Sequence, residues 1–296
     1  MPELPEIEAY NHALRTRIVD HALVGVRVRS VSLLRTYDPS PTDLAGQRVR
    51  GVRRMGKRIV IELDDELFIV LHLMVAGRLR WEAPGAAIPK RAGLAAFDFD
   101  DGTLILTEAG TKRRASLHIV RGETDLHALD PGGLEVQTAS LEDFSAALLT
   151  ERHTLKRTLT DARTFSGIGG AFADEVLFRA RLSPTQMNTN LSDDEIEQLY
   201  EATRAVLDDW EAIRIAETGE DFPKKVTAFH PEMAVHGKFG EACPVCGAPI
   251  QRIVHGGRET NYCPGCQTGG RILADRSLSR ILKDDWPKTL EELEAQ

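Results

Sequence analysis

The chain has 296 residues, 42% of them hydrophobic, a formal net charge of -8 and only four cysteines. That length supports a sizeable buried core and suggests two domains of ordinary size. No apolar run is long enough to span a membrane, the start Met1-Pro2-Glu3-Leu4-Pro5-Glu6 lacks the basic-then-apolar order of a secretion signal, and the cysteines form one cluster instead of scattered pairs. Membrane-embedded and disulfide-stapled classes are therefore excluded, and a reducing, cytoplasmic or nucleoid location is expected. The global charge argues against a polyanionic partner, but the basic residues are clustered: Arg48, Arg50, Arg53, Arg54, Lys57 and Arg58, then Lys112 to Arg114, then Arg252, Arg258, Arg271, Arg276, Arg280 and Lys283. Each run alone is more often a solvated face than a binding site.

In chain order, residues 3–16 suit a first helix, with Ile7, Leu14 and Ile18 at helical spacing. Short strands follow at Val26–Leu34, Arg58–Leu63, Leu67–Leu73, Gly77–Trp81, Leu94–Phe99 and Thr103–Thr107, separated by turn formers such as Asp101-Gly102. Such a series predicts a β-sandwich or barrel. Turn formers at Asp130-Pro131-Gly132-Gly133 mark a linker over 126–140. Helices are expected at Leu141–Thr150, Thr154–Ala162, Ala171–Ala180 and Ser192–Ile215, the last opened by the capping box Ser192-Asp193-Asp194-Glu195. A glycine-rich turn, Gly167-Ile168-Gly169-Gly170, leads into the third of these. The fold class is α+β multidomain: a β-sandwich domain over 1–125, a helical domain over 141–235, a four-cysteine finger over 236–270 and an extension over 271–296.

Cys243-Pro244-Val245-Cys246 and Cys263-Pro264-Gly265-Cys266 are two C-x-x-C knuckles with the spacing of a tetrahedral metal site. Paired disulfides or a redox C-x-x-C are the competing readings, but neither accounts for matched knuckles flanking a hairpin-like insert. One structural zinc ion on Cys243, Cys246, Cys263 and Cys266 is expected, since four thiolates leave no open position for a substrate. The ion would hold the insert carrying Arg252 and Arg258 in one shape.

If Met1 is removed, Pro2 supplies a secondary α-amine, a nucleophile able to form an iminium with an aldehyde carbon. Glu3 and Glu6 stand beside it, where a carboxylate can move protons. Alone, this pattern is more often a chain end followed by acids that favour a helix start.

The opening Met1-Pro2-Glu3-Leu4-Pro5-Glu6-Ile7-Glu8, Lys57 before a strand, the glycine-rich turn and the finger sequence Arg258-x-Thr260-x-Tyr262-Cys263 occur in the order found in the formamidopyrimidine-DNA glycosylase (Fpg/Nei) family, which the chain resembles over about residues 1–270. The resemblance implies a catalytic β-sandwich, a helix-two-turn-helix module and a zinc finger acting on damaged double-stranded DNA, and an N-terminal nucleophile and C-terminal finger facing one cleft are compatible with a monomer. It implies Pro2 as nucleophile, Glu3 as acid and base, Glu6 as support, and Lys57 as both a catalytic-site and a phosphate-contacting residue. It also implies Lys156, Gly170 and Arg258 as DNA-binding residues, with Glu175 at a family-like position. The activity implied is a bifunctional glycosylase and abasic-site lyase that removes oxidised or ring-opened bases. A damaged-DNA binder with little excision activity is the alternative. Four departures bear on that choice: Gly170 replaces the family's asparagine, Val75 stands at the methionine position of the wedge, residues 108–115 lack its aromatic, and 219–229 is short where relatives carry a loop over the lesion base. Specificity for one lesion is not implied.

Overall fold

The computed structural model describes all residues except Thr111, Lys225, Ala228, 275–279, 282–286 and 295–296. Its contacts divide into two compact units, Met1–Pro131 with Asp209–Ala228, and Gly132–Asp208 with Phe229–Gln296. The stretch 141–235, read from sequence as one helical domain, is thus shared between them.

In the first unit, α1 (Leu4–Ile18) begins at a proline-compatible first turn, and its Ile7, Tyr10, Leu14 and Ile18 stripe is fully buried. The strands are β1 (Gly25–Val28), β2 (Val49–Met55), β3 (Arg58–Leu63), β4 (Leu67–His72), β5 (Gly77–Glu82), β6 (Gly93–Asp98), β7 (Thr103–Glu108) and β8 (Ser116–Arg121). They form two antiparallel four-stranded sheets, ordered β1-β6-β7-β5 and β2-β3-β4-β8. The α1 stripe, Ile59, Ile61, Ile69 and Leu71 of one sheet, and Phe97, Leu104 and Leu106 of the other share one core, which Val226 joins. The strand expected over Val26–Leu34 stops at Val28 and gives way to a 3-10 turn at Val31–Leu33. A short helix, α2 (Glu123–His127), occupies the start of the expected linker and covers Val60, Phe68 and Val70 through Leu126.

The second unit holds α3 (Leu141–Leu149), α4 (Leu155–Thr160), α5 (Gly170–Arg179) and the first part of α6 (Asp193–Thr218), whose residues from Asp209 onward cluster with the first unit. Phe144 stacks on Phe165 with ring centroids 4.9 Å apart, in the core of these helices. The hairpin β9 (Gln251–His255) and β10 (Arg258–Tyr262) precedes a single helical turn, α7 (Pro264–Gln267). Beyond it, the Leu273 N–H donates to the Tyr262 hydroxyl at 2.8 Å and Ile272 and Leu273 are buried. The returning chain carries α8 (Leu290–Glu294) and bridges back to Arg271 at Thr289. Arg276 and Lys283 of the basic run lie outside the described residues.

Candidate active site and nucleic-acid interface

In the first unit, Pro2 is buried at the head of α1, and Glu3 and Glu6 retain only 4% and 1% of their exposure. Both carboxylates are placed by the start of the helix: Glu3 is the N-cap and Glu6 stands three residues on, accepting the Glu3 backbone N–H at 2.9 Å. This satisfies a donor that a helix N-terminus otherwise leaves orphaned. Burial, then the neighbouring Glu3, pushes Glu6 up to about 7, while the Glu3 N–H and Arg214 pull it back.

Lys57 sits at the tip of the β2–β3 hairpin, where Met55 pairs with Arg58 and Gly56 takes the positive φ of 60° that the two-residue turn requires. Its ammonium is pulled below its ordinary value by burial, with Glu3 and Glu6 opposing. Burial likewise lowers the α-amine of Met1, with Arg78 and Lys57 adding and Glu3 and Glu6 resisting. These mutual influences bring the chain start, Glu3, Glu6 and Lys57 into one charged cluster.

The rest of the first basic run is engaged. Arg50 pairs with Asp64 at 2.5 Å, Arg53 with Glu62 and Glu123, and Arg54 with Glu8 at 3.2 Å, while Arg48 and Arg58 donate to the carbonyls of Asp20 and Leu129. Lys57 has no such partner among the described residues. His72 beside it stays neutral, pushed down to about 4 by burial and by Arg58, Lys57 and His118. A run of six cations thus leaves one amino group available to an anion.

In the second unit, Arg258 is the first residue after the β9–β10 turn, whose Gly256 and Gly257 have φ of 57° and 75°. That pair is the type I′ geometry only glycine accepts easily. Arg258 is exposed and no hydrogen bond or ion pair among the described residues holds it. Its neighbour Arg252 lies over the Phe239 ring, 4.3 Å from the centroid, and pairs with Glu259. The four cysteine sulfurs lie within 4.8 Å of one another, with Cys243 and Cys266 3.9 Å apart and Cys246 and Cys263 3.4 Å apart. Zn–S bonds of about 2.3 Å in a tetrahedron require sulfurs roughly 3.8 Å apart, so the cluster fits such an ion. Gly247, with φ of 77°, turns the first knuckle so that its N–H reaches the Cys243 carbonyl.

Gly170 opens α5, is exposed, and has nothing within 4 Å of where a Cβ would stand. The Lys156 ammonium turns inward to the Gly170 carbonyl and the Asp174 carboxylate. Asp174, 0% exposed, also meets His236 Nδ1 at 2.8 Å and the Asn261 amide at 3.5 Å. Glu175 accepts the backbone N–H groups of Ala234, Val235 and His236 at 2.9, 3.0 and 2.9 Å. These two adjacent acids bind α4, the 234–236 loop and β10 to α5. Neither Asp174 nor His236 was marked by the sequence, and no local spacing could have marked them.

Three family descriptions match the chain in order: the formamidopyrimidine-DNA glycosylase N-terminal domain over 1–115, its H2TH domain over 129–223, and the zinc finger found in FPG and IleRS over 240–269. Formamidopyrimidine-DNA glycosylase of Heliobacterium modesticaldum is 33% identical over 285 residues, covering 90% of this chain and 100% of its own length. That of Listeria innocua is 30% identical over 277 residues with the same coverage. The chain belongs to the formamidopyrimidine-DNA glycosylase family. Among solved structures, MutM in complex with DNA containing carbocyclic 8-oxo-G superposes with a TM-score of 0.79 at 27% identity, covering 90% of this chain and 100% of that one. Lactococcus lactis Fpg in complex with DNA containing an abasic site gives 0.79 at 25% identity, covering 90% and 99%. The β-sandwich, helical module and four-cysteine metal site expected from sequence are all present. Among the described residues, no helix is long and apolar enough to cross a membrane.

Proposed function

We propose that Pro2, uncovered by removal of Met1, is the nucleophile of this chain's reaction on damaged double-stranded DNA. The chain is a DNA glycosylase of base-excision repair, and abasic-site lyase activity is characteristic of its family. The observation that carries the residue assignment is the buried cluster of Pro2, Glu3, Glu6 and Lys57 at the head of α1. The Pro2 nitrogen bonds to C1′ as the C1′–base bond breaks and the base leaves with the electron pair. Glu3 takes the proton from the Pro2 nitrogen and delivers it to the sugar ring oxygen as the C1′–O bond breaks, and the freed nitrogen electron pair forms the iminium. Loss of the C2′ proton then expels the 3′ phosphate and nicks the strand. Burial that lowers the Met1 amine would act on the Pro2 amine one residue away and favour its neutral, nucleophilic form.

Lys57 and Arg258, each without a hydrogen-bond or ion-pair partner for its side chain among the described residues, suit contacts to phosphate, which an extruded nucleotide needs to hold its strained backbone. Gly170 offers only its backbone to the DNA. Lys156 holds the Gly170 turn through its two inward bonds as well as adding positive charge. The four cysteines would hold one zinc ion, which when bound fixes the two knuckles from which the Arg258 hairpin projects. The domain limits at 1–125, 141–235, 236–270 and 271–296, a cytoplasmic location and action as a monomer complete the proposal.

The test is borohydride trapping on abasic-site duplex together with excision assays on oxidised and ring-opened bases. A covalent adduct lost in Pro2→Gly, with base release, is the expected result. Tight binding with neither adduct nor release would make the chain a damaged-DNA binder.

A further inference from the structure

Arg214 stands on α6, 208 residues from Glu6 in the chain, yet its Nη2 donates to Glu6 Oε1 at 3.2 Å. The same nitrogen donates to the Thr227 carbonyl at 2.6 Å, and Nη1 donates to Glu217 at 3.1 Å. The other Glu6 oxygen accepts the Glu3 N–H. One carboxylate is therefore gripped between the backbone that follows Pro2 and a guanidinium that is itself 5% exposed. Removing one member of such a buried pair strands the other. Nothing in the chemistry assigned to Pro2 requires Arg214 to touch DNA, so its burial calls for a role through Glu6.

We propose that Arg214 is a positioning residue for the Pro2 reaction: it keeps the Glu6 carboxylate ionised, so that Glu6 holds the Glu3 backbone and faces the cationic iminium with a negative charge. The proposal rests on Pro2 being the nucleophile. The groups facing Glu6 are Glu3 and Tyr10 from α1, Lys57 from the β2–β3 turn and Arg214 from α6, with Glu217 on the far side of the guanidinium and Arg78 of β5 beside the chain start. Burial and Glu3 together favour the neutral acid, and Arg214 opposes them. Without Arg214 the balance falls to the neutral side at neutral pH, where Glu6 can no longer stabilise positive charge on the Pro2 nitrogen.

The experiment is the rate of borohydride trapping on abasic-site duplex against pH, for the full-length protein, Arg214→Met, Arg214→Lys, Glu6→Gln and the double variant. The wild type should show an acid limb to which Glu6 and the Pro2 amine both contribute. Arg214→Met should move that limb to higher pH by about one unit or more, making trapping roughly tenfold slower at pH 7 but close to wild type near pH 9. Arg214→Lys should restore most of the profile. Glu6→Gln should leave only the limb set by the Pro2 amine and make the further loss of Arg214 silent, which keeps the idea testable if Arg214→Met folds poorly. A loss by Arg214→Met that is equal at every pH would overturn the proposal, as would a shift of the limb by Arg214→Met that persists in the Glu6→Gln background. Absence of any wild-type adduct would instead remove the Pro2 assignment on which the proposal stands.

Discussion

Replacing Arg258 by alanine separates a ligand contact from a structural one with unusual cleanness. The side chain is exposed at the hairpin turn and no partner among the described residues holds it, so its loss should change folding stability by no more than about 0.5 kcal/mol. A charged hydrogen bond to phosphate contributes roughly 1.5–3 kcal/mol, so affinity for DNA should fall by about 10- to 150-fold. Losing one neutralised phosphate should also make the slope of log K against log salt shallower by about 0.9. The assay is fluorescence anisotropy on a duplex with a stable abasic-site analogue, from about 50 to 200 mM salt. Arg53→Ala is the control, because that guanidinium is taken up by Glu62 and Glu123. An unchanged slope for Arg258→Ala, or an equal change for Arg53→Ala, would refute the argument that internal pairing decides which basic residues meet the nucleic acid.

Glu6 gives a pH prediction with a defined sign. Its folded value of about 7 stands above the ordinary 4.5, so its contribution to stability is fully present below pH 4.5 and is lost as pH rises through 7. Glu6→Gln should flatten that dependence, read as Tm against pH, while the Arg214 guanidinium left without its partner lowers stability at every pH. A Tm difference that is the same at pH 5 and pH 8 would count against it. Gly170→Asn meets no steric obstacle and should tighten DNA binding several-fold, in line with one added hydrogen bond of about 1 kcal/mol; weaker binding would show that the side chain is unwelcome there. Chelation, or Cys263→Ser, should release one equivalent of zinc and abolish DNA binding while leaving the melting of the first unit unchanged. Retained affinity after metal loss would separate the hairpin from the metal site.

The parts of this fold that were legible in the sequence are those with a local chemical signature. The knuckles announced a metal site and a hairpin-like insert between them, and Ile7, Leu14 and Ile18 a helix with one buried face. Strand β2 was not anticipated because a bulge between Val49 and Gly51 breaks its alternation, and Met55 is buried in a different cluster from Val49 and Val52, so the buried residues stand three apart. The extent of α6 beyond Ile215 was missed for a similar reason: its last turn is Ala216-Glu217-Thr218, with no apolar marker. The basic run at 48–58 was visible, but not that the fold brings an acid or a carbonyl to every arginine in it. Arg214 was invisible to local reading, since its partner is at the other end of the chain. Sequence thus located the atoms able to do chemistry, and only folding showed which were held, neutralised or left open.

The central claim is that the Pro2 nitrogen, supported by Glu3 and Glu6, makes the covalent bond to DNA. The most direct test is to trap the protein on abasic-site duplex with borohydride, digest it, and map the modified peptide by mass spectrometry. The account predicts the reduced sugar adduct on the amino-terminal peptide, on the Pro2 nitrogen with Met1 absent. An adduct on Lys57 or another lysine, with Pro2 unmodified, would contradict it.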